Sequence, residues 1–270
     1  MTTSLLKNKQ KFDWIDLIKR IAIIAIPVAL QNLLSTTGSM IDTIMITKLG
    51  EEYVGSVGLC GQFSMLMFSC YWGFVGGGML FISQYWGAKD ERGIERSYGI
   101  TVTCLLTVAI IFTILATCFP KFVLKIYTDK EIIQTIGYDY LKIVGFAYPF
   151  QVLAIGMSCL LRCTERVKIP LYASIASVCT NTILNWILIF GHLGFPALGV
   201  KGAAISTVIS AIVNVLVIYI CAAFTRYPYL FRVKYFFKWD KQFLNLYTKR
   251  VFPIICNEVL IGVGNMIINR

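Results

Sequence analysis

The sequence has 270 residues, of which 57% are hydrophobic and 14% are charged, and its mean hydropathy is +0.71. A water-soluble domain carries about a quarter charged residues, so this chain lacks the polar residues to cover a water-facing surface and is expected to lie in lipid. The net charge of +11 does not predict nucleic-acid binding, because Lys and Arg lie between apolar runs rather than across a hydrophilic fold.

Six apolar segments are each long enough to cross a membrane as a helix, which takes about 20 residues. In chain order, the helices are expected over residues 17–47, 54–85, 98–119, 132–161, 169–190 and 200–224. A seventh is expected to begin near Val251 and to continue to Arg270. The predicted fold class is therefore all-α, a polytopic membrane protein with six transmembrane helices and a partial seventh.

Basic residues indicate the orientation of these helices. The N-terminal tail, the entry to the first helix and the loops after the second, fourth and sixth helices hold 18 of the 25 Lys and Arg residues, among them Arg162 after the fourth. The positive-inside rule places these segments and the N-terminus in the cytoplasm. Residues 1–16 would then be a cytoplasmic tail, 17–225 a six-helix unit, 226–250 a basic cytoplasmic linker, and 251–270 the start of a second unit.

A short internal similarity supports a second unit. Pro27 and Pro253, which are 226 residues apart, are each preceded by a Lys-Arg pair and followed eleven residues later by a glycine, Gly38 or Gly264. Six helices return the chain to the same side, so the second unit would be a parallel repeat, an arrangement common in secondary transporters.

Polar residues inside membrane helices are costly and are candidates for function. Asp42 lies in the first helix, and Asn181 and Asn185 lie four residues apart, on one face of the fifth. A carboxylate with amide and hydroxyl oxygens suits Na⁺, and the same carboxylate can instead carry a proton. Two alternatives stay open: Asp42 as an interfacial acid near Lys48, and the asparagines as interhelical hydrogen-bond partners.

The first and seventh helices carry further polar residues. Glu258 lies early in the seventh helix, and Gln31 and Asn32 lie at a similar depth in the first. Gln31 and Glu258 form a candidate substrate or second acidic site. In the alternative interpretation, Glu258 pairs with a polar group of a partner helix outside this chain.

No motif predicts catalysis, and we expect the chain not to be an enzyme. It has no Walker A sequence, no C-x-x-C motif that would suggest a zinc site, and a single histidine, His192, in a predicted outer loop. We therefore expect no resident metal and no cofactor.

Several motifs together resemble the multidrug and toxic compound extrusion (MATE) family. The motifs cover nearly the whole chain. In the first helix they are Pro27 with Gln31 and Met40-Ile41-Asp42-Thr43, and at the exit of the second helix Ser83-Gln84-Tyr85-Trp86-Gly87-Ala88-Lys89-Asp90. From the fifth helix to the sixth they are Asn181-Thr182-Ile183-Leu184-Asn185-Trp186, Gly194-Phe195-Pro196 and Gly202-Ala203-Ala204, and in the seventh Pro253 with Asn257-Glu258. The resemblance implies one lobe of a V-shaped, two-lobe exporter, driven by Na⁺ or H⁺, that expels bulky and often cationic organic compounds.

The resemblance also implies roles for individual residues. Asp42 matches the family's coupling carboxylate and Asn181 the asparagine beside it, Thr207 is similar to a hydroxyl ligand of that site, and Glu258 matches an acidic position approximately. Some members have an acid where this chain has Asn185, which leaves open whether the ion is Na⁺ or H⁺. Family members have about twelve helices, so the C-terminal lobe is expected to be missing, either because the sequence is partial or because two half-transporters dimerise.

The resulting hypothesis is a cation-coupled antiporter in the bacterial inner (plasma) membrane, with small-molecule drugs or toxic organic cations and the lipid bilayer as its partners. The first alternative is a lipid-linked oligosaccharide flippase of the same superfamily, although mid-membrane basic residues that could hold pyrophosphate are not predicted. The second alternative is a non-transporting subunit of a membrane assembly, which would not need Asp42 to bind a cation.

Overall fold

The computed structural model describes residues 14–231 and 241–268. Its α-helices are α1 (Trp14–Thr47), α2 (Glu51–Gly87), α3 (Glu91–Cys118), α4 (Pro120–Tyr127), α5 (Glu131–Val144), α6 (Tyr148–Cys163), α7 (Lys168–Phe190), α8 (Val200–Phe224) and α9 (Lys241–Ile268). Short 3₁₀ turns cover Gly145–Ala147, His192–Gly194 and Pro228–Leu230. Most of the predicted N-terminal tail and residues 232–240 of the predicted linker lie outside the described residues.

Six helical segments are long and apolar enough to cross a membrane, and they confirm the predicted all-α polytopic fold. They are Leu17–Thr47, Glu51–Gly87, Glu91–Cys118, Glu131–Cys163, Lys168–Phe190 and Val200–Phe224. The fourth consists of α5 and α6, which are joined through a 3₁₀ turn. Large apolar side chains such as Ile110, Ile111 and Leu216 are exposed on their outer faces, as expected of a surface solvated by lipid.

Helix α3 begins at Glu91, seven residues before the predicted start at Tyr98. The charged first turn concealed this start, because Glu91, Arg92 and Arg96 interrupt the apolar pattern. Asp90 is the N-cap of the helix, and its side chain accepts a hydrogen bond from the Gly93 backbone N–H at 3.0 Å. The cap therefore fixes the start of the helix before its apolar part.

The seventh helix, α9, begins at Lys241, ten residues before the predicted start at Val251. Its first turns are fixed by tertiary contacts: the Tyr247 ring stacks on Phe81 with centroids 5.3 Å apart, and the Tyr247 hydroxyl is 3.0 Å from Thr101 Oγ1. Further along, Gly73 of α2 lets the α9 backbone approach so closely that a Cβ there would lie 2.6 Å from Ile255 Cα. Glycines of α2 thus serve close helix packing, as their run in an apolar helix suggests.

Helices α1 and α7 pack side by side and position the candidate site. Gly38 is buried at their contact, where an added Cβ would meet the Val178 side chain at 3.3 Å. The small residue lets the two helices approach, so polar side chains one turn further along α1 face those of α7. The opposite face of α1 exposes large apolar side chains, including Ile23, Ile26 and Leu33.

Candidate cation and substrate site

A cavity of about 630 Å³ lies between α1, α2, α6, α7 and α8, a size typical of small-molecule sites. Its lining combines one acid and one base with amides, hydroxyls and aromatic rings. The charged and amide groups are Gln31, Asn32, Asp42, Gln151, Arg162, Asn181 and Asn214, and the aromatic residues are Phe68, Tyr71 and Trp72. Asp42 and Arg162 belong to different helices, and each has its own set of polar partners.

Helices α1 and α7 bring together the carboxylate of Asp42 and the amides of Asn181 and Asn185. Asn185 is almost fully buried, and its Nδ2 donates to Asp42 Oδ1 at 2.6 Å. The four-residue spacing within α7 therefore places both amides beside the same carboxylate. The bond from Asn185 also ties α7 to α1, so the interhelical hydrogen bonding weighed in the sequence analysis is part of the same geometry.

The Asn181 amide faces the same carboxylate. Its nitrogen is assigned to the Asp42 side, because the opposite assignment would bring its oxygen against the carboxylate oxygens. In this orientation Asn181 donates to Asp42 Oδ1 at 2.6 Å and to Oδ2 at 3.3 Å.

Two further side-chain oxygens belong to this region. Asn185 Oδ1 is buried and has no hydrogen-bond partner within the described residues. Thr207 of α8 lines the same cavity as Asp42; its hydroxyl donates to the Ala203 carbonyl at 3.0 Å and also interacts with the Tyr140 hydroxyl. Buried acceptors of this kind normally have a donor, water or cation partner. The donor set of one carboxylate, two amides and one hydroxyl fits a hard monovalent cation.

A second polar cluster lies at the cytoplasmic end predicted for α6 and α7. Gln31 Nε2 donates to Ser174 Oγ at 2.9 Å, and Arg162 Nη2 donates to Gln31 Oε1 at 2.7 Å. The sequence analysis placed Arg162 in a loop, and that placement is wrong: it lies in the last turn of α6, and its side chain lines the cavity. The apolar run ends one residue earlier, which concealed the inward direction of this side chain.

Three aromatic side chains of α2 form one wall of the cavity. The rings of Phe68 and Trp72 are stacked with centroids 4.8 Å apart, and Tyr71 meets Phe68 edge-on at 5.3 Å. The sequence analysis did not single out these residues, although their spacing of three and four places them on one helical face. Aromatic faces attract organic cations and planar ring systems.

The structure does not bring Glu258 to Gln31. Glu258 lies on α9, which packs against α2, and it is not among the residues that line the cavity. Gln31 instead faces α6 and α7 through its two hydrogen bonds. Among the described residues Gln31 and Glu258 do not line one cavity together, and a joint role for them in a substrate or second acidic site stays a prediction.

A protein-family model described as MatE matches residues 27–187, more than half of the chain. The chain belongs to the MatE family. The match includes Asp42, Asn181 and Asn185, and it confirms the resemblance inferred from the sequence motifs.

Relatives of this MatE chain include the probable multidrug resistance protein YoeA of Bacillus subtilis strain 168. It is 28% identical over 251 residues, which cover 92% of this chain and 54% of YoeA. The multidrug resistance protein NorM of Burkholderia vietnamiensis is 25% identical over 188 residues, covering 69% of this chain and 40% of NorM. The chain thus spans about half the length of the curated relatives it matches.

Solved MATE structures share the fold. A structure described as the outward-facing conformation of a multidrug resistance MATE family transporter superposes with a TM-score of 0.78 at 21% identity, over 89% of this chain and 52% of that chain. A MATE structure in the straight conformation gives a TM-score of 0.77 at 22% identity, over 89% and 53%. Since the MatE chain covers about half of each, its architecture corresponds to one lobe of a two-lobe transporter.

Proposed function

We propose that this chain is the N-terminal lobe of a secondary active antiporter that exports organic, often cationic, compounds in exchange for Na⁺ or H⁺. The observation that carries the proposal is the carboxylate of Asp42, which lies in a large cavity and is held by two amides of α7. Several relatives are named as multidrug resistance proteins, and none of those described above is named as an enzyme.

Coupling follows from competition for one negative charge. A substrate cation and a coupling cation both gain from the same carboxylate, and a low-dielectric cavity strengthens either interaction. Binding of Na⁺ by Asp42, Asn181, Asn185 and Thr207, or of a proton by Asp42, would remove the charge that retains the substrate. Alternating exposure of the cavity would then convert ion entry into substrate release.

The aromatic wall supports organic cations as the substrate class. Phe68, Tyr71 and Trp72 line the same cavity as Asp42 and present ring faces and edges to its contents. Cation–π attraction adds about 0.5–2 kcal/mol per contact and does not demand one substrate shape. A single acid with an aromatic wall therefore suits several bulky cations rather than one specific ligand.

A flippase for pyrophosphate-linked lipids is not favoured. Such a cavity would need several basic side chains, and among the described lining residues Arg162 is the only Lys or Arg. A non-transporting assembly subunit would have no use for a cavity that holds a carboxylate between amides.

The orientation with a cytoplasmic N-terminus in the plasma membrane is part of the proposal. It places the exposed thiol of Cys118, at the end of α3, outside the cell, and the α2–α3 loop after Gly87 inside. In a Cys118-only variant, a membrane-impermeant maleimide should label intact cells. A Gly87→Cys variant without Cys118 should be labelled only after permeabilisation, and the reverse pattern would overturn the orientation.

Export itself is tested in cells that lack their own efflux pumps and express this chain as part of the complete transporter. Asp42→Asn should abolish resistance to organic cations without reducing the amount of protein in the membrane. Asp139→Asn is the matched control, because Asp139 pairs with Lys201 at 3.0 Å on the exposed surface, outside this cavity. Normal resistance in the Asp42 variant would refute the proposed function.

A further inference from the structure

Arg162 is a cation held inside the cavity by neutral groups alone. It is partly buried, and its one described hydrogen bond goes from Nη2 to the amide oxygen of Gln31 at 2.7 Å. Its Nε atom is fully buried and has no partner within the described residues. A guanidinium offers five N–H donors, so most of its hydrogen-bonding capacity is unused in this geometry.

No described carboxylate forms an ion pair with Arg162. Its one described hydrogen-bond partner, Gln31, is a neutral amide. Burial of a charge without a counter-ion is unfavourable, because the lost hydration is not replaced. An anionic group entering the cavity would replace that hydration and satisfy the unused donors.

The two charged groups of the cavity lie well apart along its length. Gln31, which contacts Arg162, precedes Asp42 by eleven residues in α1, or about 16 Å of helix. Cys163, the residue after Arg162, donates its thiol to the Met79 carbonyl of α2 at 3.7 Å. Met79 and Arg162 both line the cavity, so Arg162 lies beside this turn of α2. A ligand of drug size can therefore reach one charge with a cationic group and the other with an anionic group.

We propose that Arg162 forms an anion subsite of the transport cavity, which binds a carboxylate or similar anion of a substrate. This inference rests on the proposed function and extends it by assigning a second charged subsite to the cavity. The cation lies near Asp42, and the anion binds the guanidinium at the opposite end.

Gln31 is the group that the anion displaces or joins. Its amide bridges Arg162 of α6 and Ser174 of α7 from its place on α1. A carboxylate accepts from a guanidinium more strongly than a neutral amide does, because it pairs opposite charges and can accept two N–H groups at once. Substrate binding would thus exchange the Arg162–Gln31 bond for an ion pair, and would loosen a link between α1 and α6.

The test uses the purified chain in lipid nanodiscs with two dyes that differ in one charge: a rhodamine that carries a carboxylate on a flexible arm long enough to reach Arg162 from Asp42, and the methyl ester of the same dye. Both carry the same delocalised cation. Fluorescence anisotropy gives the Kd of each dye for wild type, Arg162→Gln and Arg162→Lys, with Arg166→Gln as a control at a basic residue outside the cavity lining. A charge-assisted hydrogen bond predicts a loss of about tenfold or more in affinity.

The expected result is that Arg162→Gln weakens the free acid about tenfold while the ester changes by less than about twofold, with Arg162→Lys intermediate for the acid. Equal weakening of both dyes, or no weakening of either, would overturn the anion subsite. A competition experiment with the wild-type chain does not depend on how the variants fold. Benzoate should displace the free-acid dye but not the methyl ester. Displacement of both dyes, or of neither, would also overturn the anion subsite.

Asp42→Asn separates this inference from the proposed function. If Asp42 binds the cation, this variant should weaken both dyes alike. If Asp42→Asn leaves both affinities unchanged while Arg162→Gln still discriminates between the dyes, the cation site fails and the anion subsite stands.

Discussion

At the residue scale, the account depends on how α7 holds Asp42. One amide, that of Asn185, is nearly inaccessible to solvent, so its bond to the carboxylate at 2.6 Å is not exchanged for water at low cost. The other amide, that of Asn181, donates its nitrogen to the same carboxylate at 2.6 Å. Two amides of one helix therefore hold the carboxylate of α1.

Thr207 is expected to supply a hydroxyl oxygen to the coupling cation. Thr207→Val keeps the side-chain shape and should weaken Na⁺ binding by roughly three- to tenfold, or about 0.7–1.4 kcal/mol, since one oxygen ligand is lost. Quenching of tryptophan fluorescence during Na⁺ titration reports binding, because Trp72 lines the cavity.

Thr43→Val is the matched control for that measurement. Thr43 is adjacent to Asp42 in α1, but it is exposed, and its hydroxyl donates to the Ser39 carbonyl at 2.9 Å. Its removal should leave Na⁺ affinity unchanged. Equal effects of the two substitutions would exclude a specific role for Thr207 in the cation site.

The sequence predicted the acidic end of the cavity better than the basic end. Asp42, Asn181 and Asn185 could be selected because polar groups within apolar helices are rare, and helical spacing placed both amides on one face. Arg162 could not be selected by that rule, since it follows directly on the end of an apolar run. The available signal was a stripe on α6: Gln151, Ser158 and Arg162 are spaced by seven and four residues and all line the cavity.

At the element scale, the glycines of α2 determine how closely α9 can approach. Gly73 and Gly77 both face α9, where added Cβ atoms would collide with Ile255 and Val251. Hydropathy predicted the existence and type of the transmembrane helices, but it did not predict the early turns of α9. Those turns depend on contacts of Tyr247 with Phe81 and Thr101, residues more than a hundred positions away in sequence.

Gly73→Ala should destabilise the chain. The new Cβ would lie 2.6 Å from the backbone atom Ile255 Cα, so α9 must shift, and overpacking of this kind costs about 1–3 kcal/mol. The measurement is the Tm of the chain in detergent, which should fall.

Gly76→Ala provides the control on the same helix. Its Cβ would meet Ile254 Cγ2 at 3.7 Å, an ordinary van der Waals distance, and alanine favours the helix by up to about 1 kcal/mol. The Tm should therefore stay the same or rise. A fall of equal size in both variants would show that close packing of α9 on α2 does not determine stability.

At the scale of the whole molecule, the chain has the features of one lobe. Five of the six apolar segments line a cavity with charged groups at separate positions, and the chain covers about half of each solved MATE structure described above. Composition and loop charge predicted this architecture, because lipid imposes a simple length and polarity rule on helices. They could not predict the cavity, which depends on how the helices pack against one another. Transport by alternating access requires a second lobe, and we propose that one completes the cavity.

A coupling cation and an organic cation should compete for the carboxylate of Asp42. Displacement of tetramethylrhodamine methyl ester from the nanodisc-bound chain tests this competition, on replacing choline chloride with sodium chloride at constant ionic strength or on lowering the pH. Na⁺ or acid should release the dye from wild type and from Asp139→Asn, whereas Asp42→Asn should bind it weakly and show no ion-dependent release. Dye binding and ion-dependent release in Asp42→Asn equal to those of wild type would show that Asp42 is not the shared cation site.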